Sequence, residues 1–175
     1  MTNTMSLMAQ PASALAEAFD HAFALAPAAL APDAIDLIGI RLGGDPFAIR
    51  LAETAGVFVD RKVTPVPTAV AEFLGIAGIR GALVPVYDLA QLVGRTPAKN
   101  VHWLVLARQA PIAFACDAFE RQIRLAGSAL APRADTGQHV REVATMDGMA
   151  RPIIDLSSLA ATVGARAKAE QGGSK

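Results

Sequence analysis

The residues of this sequence that could perform chemistry are one cysteine, three histidines and a pair of aspartates. Cys116 lies in an apolar run with no neighbouring residue that would lower its pKa, so a buried structural thiol is favoured over a nucleophile. His21, His102 and His139 are far apart, and none has a Cys or His at the spacing of a metal site. We therefore expect neither a metal nor another cofactor.

The two aspartates, Asp88 and Asp155, occupy equivalent positions in two similar segments, residues 85–89 (PVYDL) and 152–156 (PIIDL). Two matched carboxylates could share an acid–base mechanism. Each one, however, precedes a short predicted helix, where an aspartate accepts hydrogen bonds from free backbone N–H groups. The sequence therefore favours helix capping as the role of both aspartates. A small enzyme or ligand-binding barrel that uses Cys116 or this pair is the rival hypothesis, and it requires a deep polar pocket beside them.

These segments belong to an internal repeat with an offset of 67 residues, since 148 − 81 = 67 and 155 − 88 = 67. The repeat predicts a glycine turn between two strands, a proline where a strand leaves its ladder, and an aspartate cap. About five strands per half can bury a core only if the sheet curls, so the predicted fold class is all-β, with two small barrels that share a flank. The repeated positions are Gly81, Pro85 and Asp88 in the first half and Gly148, Pro152 and Asp155 in the second.

The composition narrows the classes of partner. The 175 residues are 53% hydrophobic, and 16 basic residues balance 16 acidic ones, so no overall positive charge favours nucleic acid. No apolar run approaches the ~20 residues that cross a bilayer, which argues against direct membrane insertion. The first basic residue is Arg41, so an export or import signal is not indicated. With a single cysteine, this pattern predicts a cytoplasmic protein.

Changes in amino-acid composition and hydrophobic pattern along the chain predict the domain organisation. Residues 1–33 form an Ala-rich extension that is either a docking helix or a disordered tail. Residues 34–164 form the folded part, with barrel halves at about 34–97 and 98–164, and residues 131–140 read as a polar loop. Residues 165–175 are predicted to be a disordered tail.

Arg80 stands apart from the repeat. It lies in the segment Gly78-Ile79-Arg80-Gly81, a charge between two apolar strands beside a glycine. A solvated hairpin arginine and an interface anchor fit this position equally well, and arginine is among the residues favoured at interface hot spots.

Together these segments resemble the CheW family of chemotaxis coupling proteins. The resemblance runs from about Ile35 to Val163 and is closest over residues 47–89, which include the Pro-rich connector, Arg80-Gly81 and the PVYDL segment. It implies two intertwined five-stranded Src-homology-3-like β-barrels with short helices. It also implies a non-catalytic adaptor that couples the cytoplasmic tips of methyl-accepting chemoreceptors to the regulatory domain of a CheA-type histidine kinase.

The receptor-facing positions that the resemblance implies are Thr54, Gly56, Gly75, Arg80, Ala113 and Phe119. Some positions depart from the family pattern: Gly56-Val57 replaces a common Glu-Ile pair, Gly78-Ile79 precedes Arg80 where Asn-Leu is common, and Gln122 replaces an apolar residue. The acidic residue lost at position 56 is a possible salt-bridge partner, so partner choice is expected to differ. A divergent CheW-like scaffold in a kinase pathway unrelated to motility is the alternative function.

Overall fold

Two six-stranded sheets account for more than half of the residues that this computed structural model describes, which are 33–97, 102–146 and 148–172. The strands of the first half are β1 (Ala34–Leu42), β2 (Asp45–Arg50), β3 (Thr54–Val59), β4 (Val63–Thr64), β5 (Phe73–Ile79) and β6 (Ala82–Asp88). Those of the second half are β7 (Trp103–Ala107), β8 (Ala113–Cys116), β9 (Ala118–Ala126), β10 (Leu130–Gly137), β11 (Val140–Met146) and β12 (Met149–Ile154). The helices are α1 (Leu89–Leu92) and α2 (Leu156–Gly172), with 3₁₀ turns at Leu51–Glu53 and Gly127–Ala129.

The internal repeat is confirmed at the level of whole elements. Adding 67 to the bounds of β5 gives 140–146, the bounds of β11, and each remaining strand of the first half overlaps a strand of the second half at this offset. The helix that follows β6 likewise corresponds to the helix that follows β12.

Each sheet combines strands from both repeats. The first sheet has the order β10-β11-β12-β2-β1-β9 and the second has the order β3-β7-β8-β6-β5-β4. The hairpin β1–β2 therefore completes the sheet built by the last four strands of the second repeat, and β7–β8 does the same for the first repeat. The two units are intertwined, so the predicted boundary at residues 97/98 separates the repeats but does not separate the sheets.

The repeated prolines mark the points at which these exchanged hairpins join. The parallel pairing of β6 with β8 begins at Val86, and that of β12 with β2 begins at Ile153. Pro85 and Pro152 lie immediately before these points, where the missing N–H would otherwise interrupt a ladder. Each proline still pairs with the strand on its other side, so the strand does not end there as the sequence suggested.

Both faces of the exchanged hairpins are buried. One face of β1–β2 and β7–β8, including Ile40, Phe47 and Phe114, packs with α1 and α2 in a core shared by the two sheets. The opposite face contributes Leu37 and Leu104 to smaller clusters, one within each sheet. The shared flank predicted from the repeat is this central cluster.

One segment that was predicted to be irregular forms a strand. The polar loop expected at residues 131–140 is largely strand β10, which pairs with β11 across a register shift. With the short strand β4, this gives each sheet six strands instead of five. Local polarity misled the prediction because β10 is an edge strand, and edge strands tolerate proline and polar residues.

The predicted disordered tail was wrong for residues 165–172, which continue α2. Apart from its terminal glycine, this stretch consists of good helix formers, and Arg166 lies 3.5 Å from Glu72 of the connector before β5. Residues 173–175, the N-terminal extension through residue 32 and the link at 98–101 lie outside the described residues. No helix within the described ranges is long and apolar enough to cross a membrane.

Candidate partner-binding surface

The hairpin turn between β5 and β6 holds Arg80 in a strained conformation. Ile79 pairs with Ala82, which leaves Arg80 and Gly81 as a two-residue loop with φ angles of 50° and 80°. Positive φ at both central residues is the pattern of a type I′ turn, which glycine, asparagine and aspartate adopt most easily. The arginine is therefore not the residue that the turn itself prefers.

The Arg80 guanidinium lies against strand β3. Its Nη2 donates a hydrogen bond to the carbonyl oxygen of Ala55 at 3.2 Å, and its Cζ lies 5.5 Å from the centroid of the Phe58 ring. A Cβ at Gly56 would come within 3.1 Å of this Nη2 and within 3.1 Å of Phe58 Cε2. The absence of a side chain at position 56 thus lets the cation reach the ring.

A second cation adjoins the same ring. The Cζ of Arg61 lies 5.7 Å from the Phe58 centroid. Asp60 is the nearest acid in the sequence, but its Oδ1 is 2.9 Å from Nδ1 of His102. Within the described residues, neither arginine has a carboxylate partner. We call Gly56, Phe58, Arg61 and Arg80 the Arg80 surface.

Three of the other predicted positions lie in one row across the second sheet. Gly56 pairs with Leu106, Leu106 with Ala113, Ala113 with Val86, and Val86 with Gly75. The ladder shifts register beside each glycine, between Thr54 and Gly56 and between Phe73 and Gly75. Bulges and glycines of this kind bend a sheet into a barrel. Gly56 and Gly75 therefore shape the barrel, and Ala113 lies in the row between them.

Burial separates the predicted positions further. Ala113 is 0% exposed and Thr54 is 4% exposed, with its hydroxyl donating to the Arg50 carbonyl at 3.2 Å. Gly75 is also buried, with φ 134°, and a Cβ there would lie 2.7 Å from the carbonyl carbon of Thr64. All three are buried, whereas Arg80 is exposed and Gly56 is partly exposed.

Phe119 belongs to a different part of the molecule. It lies on β9 of the first sheet, opposite Ile40, and its ring is 5.4 Å from that of Trp103. Both rings are partly buried and pack against the shared core. The structure thus brings Gly56 and Arg80 together and places Phe119 on the other sheet.

The repeated aspartates are helix caps, as predicted. Asp88 is buried, and its Oδ1 accepts from the backbone N–H groups of Ala90 at 2.8 Å and Gln91 at 3.2 Å. Asp155 Oδ1 accepts from the N–H of Ser158 at 2.7 Å. Their carboxylates are occupied at the starts of α1 and α2, which removes the reason for an acid–base pair.

Glu53 is a third cap, which the sequence did not reveal. From the 3₁₀ turn after β2, its Oε2 accepts from the backbone N–H groups of Leu156 at 2.7 Å and Ser157 at 3.4 Å. Burial raises the pKa of Glu53, and Asp155 adds to the rise, although the two hydrogen bonds oppose it. A contact across 103 positions leaves no local sequence signal.

Cys116 is a packing residue. It is 0% exposed within the shared core, and burial raises its pKa to about 12, with a smaller contribution from Asp117. A thiol with this pKa is not a nucleophile at neutral pH. Among the described residues, no three His, Cys, Asp or Glu side chains are grouped as metal ligands would be.

A partly buried ion pair in the first sheet was also not predicted from the sequence. Arg151, 6% exposed on β12, donates to Glu120, which also accepts from Arg41 at 2.8 Å. Burial alone would raise the pKa of Glu120, but the two arginines outweigh it and lower that pKa. A Cβ at Gly39 would lie 3.3 Å from both Arg151 Nη1 and Glu120 Oε2, so this glycine makes room for the pair.

Comparison with known proteins decides the family. The family model described as the CheW-like domain matches residues 36–163. The chain belongs to the CheW-like family. The match includes all twelve described strands except the first two residues of β1, and it ends within α2.

Two individual proteins are similar to this chain. A protein of Rhizobium etli named "Probable chemotaxis protein CheW" is 29% identical over 75 residues, which are 42% of this chain and 48% of that protein. The chain therefore aligns with about half the length of this relative. The crystal structure of the scaffolding protein TtCheW from Thermoanaerobacter tengcongensis superposes with a TM-score of 0.62 at 18% identity, over 69% of this chain and 88% of that one. The predicted fold, two intertwined Src-homology-3-like barrels, is confirmed, with six strands in each sheet.

Proposed function

We propose that this protein is a non-catalytic adaptor that couples the cytoplasmic tips of methyl-accepting chemoreceptors to the regulatory domain of a CheA-type histidine kinase. Membership of the CheW-like family over residues 36–163 carries this proposal. The names of the similar proteins, a chemotaxis protein and a scaffolding protein, point in the same direction. Cytoplasmic residence follows from these partners and is part of the proposal.

The geometry supports binding more than catalysis. The residues that could have formed a reactive centre, Cys116, Asp88 and Asp155, serve in packing and capping. The Arg80 surface instead presents two exposed arginines beside a partly buried aromatic ring, the kind of group that anchors protein interfaces. We assign partner contact to Arg80, Gly56 and Phe119, and a supporting role within the second sheet to Thr54, Gly75 and Ala113.

The test is direct binding by the full chain. The kinase regulatory domain and a receptor cytoplasmic tip from the same genome would each be titrated by calorimetry. We expect both to bind, and Arg80→Ala to weaken receptor binding by about tenfold or more. Arg141→Ala is the matched control, because it removes an exposed arginine from another strand. Binding to neither partner would refute the proposal.

A second candidate function is a scaffold for a kinase pathway unrelated to motility. Gly56 favours it, because the family commonly has an acidic residue there and its loss changes the charge of the surface. Titration with kinases and receptors of the same genome that lie outside its chemotaxis gene clusters would distinguish the two. Tighter binding to those proteins would favour this second candidate.

A further inference from the structure

Arg108, which follows β7, lacks the carboxylate partner that its repeat equivalent has. The offset of 67 residues relates Arg41 to Arg108 and Glu53 to Glu120 (41 + 67 = 108; 53 + 67 = 120). Arg41 Nε donates to Glu120 Oε1 at 2.8 Å, so one copy of this arginine–glutamate pair is intact. In the other copy, Glu53 instead accepts from two backbone N–H groups at the start of α2. Because Glu53 serves as a helix cap, the repeat leaves Arg108 without its acid.

Backbone carbonyls nevertheless hold the Arg108 guanidinium in one orientation. Its Nε donates to the carbonyl oxygen of Ala52 at 2.7 Å, and its Nη2 donates to that of Thr54 at 3.0 Å. Within the described residues, Arg108 has no carboxylate partner and its Nη1 has no acceptor. The edge formed by Nη1 and the second N–H of Nη2 is therefore free, and such an edge can bind a carboxylate in bidentate fashion.

The Arg108 side chain lines an open cavity of about 470 Å³. Arg50 lines the same cavity, and its Nη2 donates to Glu142. Much of the remaining lining is aliphatic and includes Ile35 and Leu51. Small-molecule sites typically have volumes of roughly 300–1,000 Å³, with apolar walls and a few fixed polar groups. The cavity has the size and the composition of such a site.

The charges around the cavity leave one cation without an opposite charge. Arg50 is paired with Glu142, and Asp36 Oδ1 lies 3.7 Å from Arg124 Nε. Of the charged residues that the structure describes along the cavity, Arg108 is the one with no such pair. A single free guanidinium edge matches one carboxylate, whereas a phosphate group carries about two negative charges. The charge and the aliphatic walls together favour an organic acid over a phosphate.

We propose that this cavity binds a small organic acid, with the carboxylate on the free edge of Arg108 and the hydrocarbon part against Ile35 and Leu51. Arg50 provides a second cation beside the carboxylate. The ligand supplies the negative charge that Glu53 does not provide. The site shares no residue with the Arg80 surface, and the inference does not rest on the adaptor function.

NMR titration of the full chain tests the proposal. The ¹⁵N-labelled protein would be titrated with sodium hexanoate up to about 20 mM at a constant ionic strength of about 150 mM, so that screening does not change. Hexanamide, which has the same hydrocarbon chain without the charge, sodium acetate and inorganic phosphate would be titrated in parallel. The Nε–H signal of Arg108, assigned by its absence in Arg108→Gln, reports on the site itself.

We expect hexanoate to cause saturable shifts at the Arg108 Nε–H and at the backbone amides of Leu51 and Ala52, with a Kd in the millimolar range. Acetate should bind more weakly because it lacks the hydrocarbon part, and hexanamide should not bind measurably. Arg108→Gln should weaken hexanoate binding by about tenfold or more. Arg50→Gln should weaken it by a smaller factor, because Glu142 already offsets that charge.

Arg41→Gln is the matched control. It removes the repeat-equivalent arginine, which already has a carboxylate partner in Glu120, so hexanoate binding should not change. Thermal melts and the amide spectra show that each variant is folded. The comparison of hexanoate with hexanamide on the wild-type chain tests the proposal even if a variant does not fold.

Five results would overturn the inference. The first is the absence of any saturable shift with hexanoate over the titrated range, and the second is equal binding of hexanamide and hexanoate. The third is unchanged hexanoate binding by folded Arg108→Gln. The fourth is an equal loss in Arg41→Gln, because the effect would then reflect net charge. The fifth is tighter binding of inorganic phosphate than of hexanoate, which would make the cavity a phosphate site.

Discussion

The guanidinium of Arg80, in the turn between β5 and β6, lies 5.5 Å from the centre of the Phe58 ring on β3, although the two residues are 22 positions apart (80 − 58 = 22). The contact needs three features: a hairpin turn with positive φ, a ring on β3 and a glycine at position 56 beside both. The hairpin turn recurs in both repeats. The residues of the Arg80 surface do not recur in the second repeat.

Replacing Arg80 by asparagine should separate stability from binding. Asparagine relieves a left-handed strain of about 1 kcal/mol, while the loss of the cation–π contact costs about 0.5–1 kcal/mol, so the free energy of unfolding should change by less than about 1 kcal/mol. Urea denaturation measures this. A loss of more than about 2 kcal/mol would show that the arginine is needed for the fold.

Gly75→Ala should destabilise the protein by about 3 kcal/mol or more. The residue combines φ 134° with a Cβ position 2.7 Å from the Thr64 carbonyl carbon, so β4 would have to move away from β5. Gly78→Ala is the matched control on the same strand, because a Cβ there meets nothing within 4 Å and the backbone is ordinary. Equal unfolding free energies for the two variants would contradict this account of the β5 bulge.

The stability of the wild type relative to Glu53→Gln should decrease as the pH rises above 4.5. Burial raises the pKa of Glu53, so the folded state holds the proton more tightly than the unfolded state does. The resulting stabilisation is complete below pH 4.5 and disappears as the pH passes the folded-state pKa. The glutamine keeps an acceptor for Leu156 N–H but does not titrate.

Urea unfolding of both proteins between about pH 4 and pH 7 measures this difference, and taking the difference cancels the titration of shared groups such as His139. A difference that grows with pH would mean that hydrogen bonding to α2 outweighs burial at Glu53.

Cutting the link between the repeats should leave the two halves together. Each sheet contains strands from both halves, through the pairs β1–β9, β2–β12, β3–β7 and β6–β8. A protease site placed at residues 98–101 of the full chain would be cleaved and the product analysed by gel filtration. We expect elution at the position of the uncut protein, with separation only in denaturant. Halves that separate in buffer would contradict the exchanged-hairpin topology.

The sequence predicted the elements that depend on local patterns. The repeat, the glycine turns, the caps at Asp88 and Asp155 and the buried Cys116 each rest on neighbouring residues or on one offset. Short-range rules for turns and caps are specific enough to be recognised in a single sequence.

Features that depend on distant residues were not predictable in this way. The cap from Glu53 to α2, the Arg151–Glu120 pair and the strand β10 depend on partners brought together by the exchanged hairpins. The resemblance implied that Thr54, Gly75 and Ala113 face the receptor, but the structure buries all three, and burial cannot be read from a single sequence.

Reconstitution of kinase activity tests the central claim most directly. A CheA-type kinase and a receptor cytoplasmic fragment from the same genome would be combined with and without the full chain, and kinase autophosphorylation would be measured. The account predicts that the receptor changes the autophosphorylation rate only when the chain is present, and that Arg80→Ala reduces this effect while Arg141→Ala does not. Receptor control that is unaffected by the chain would contradict the adaptor function.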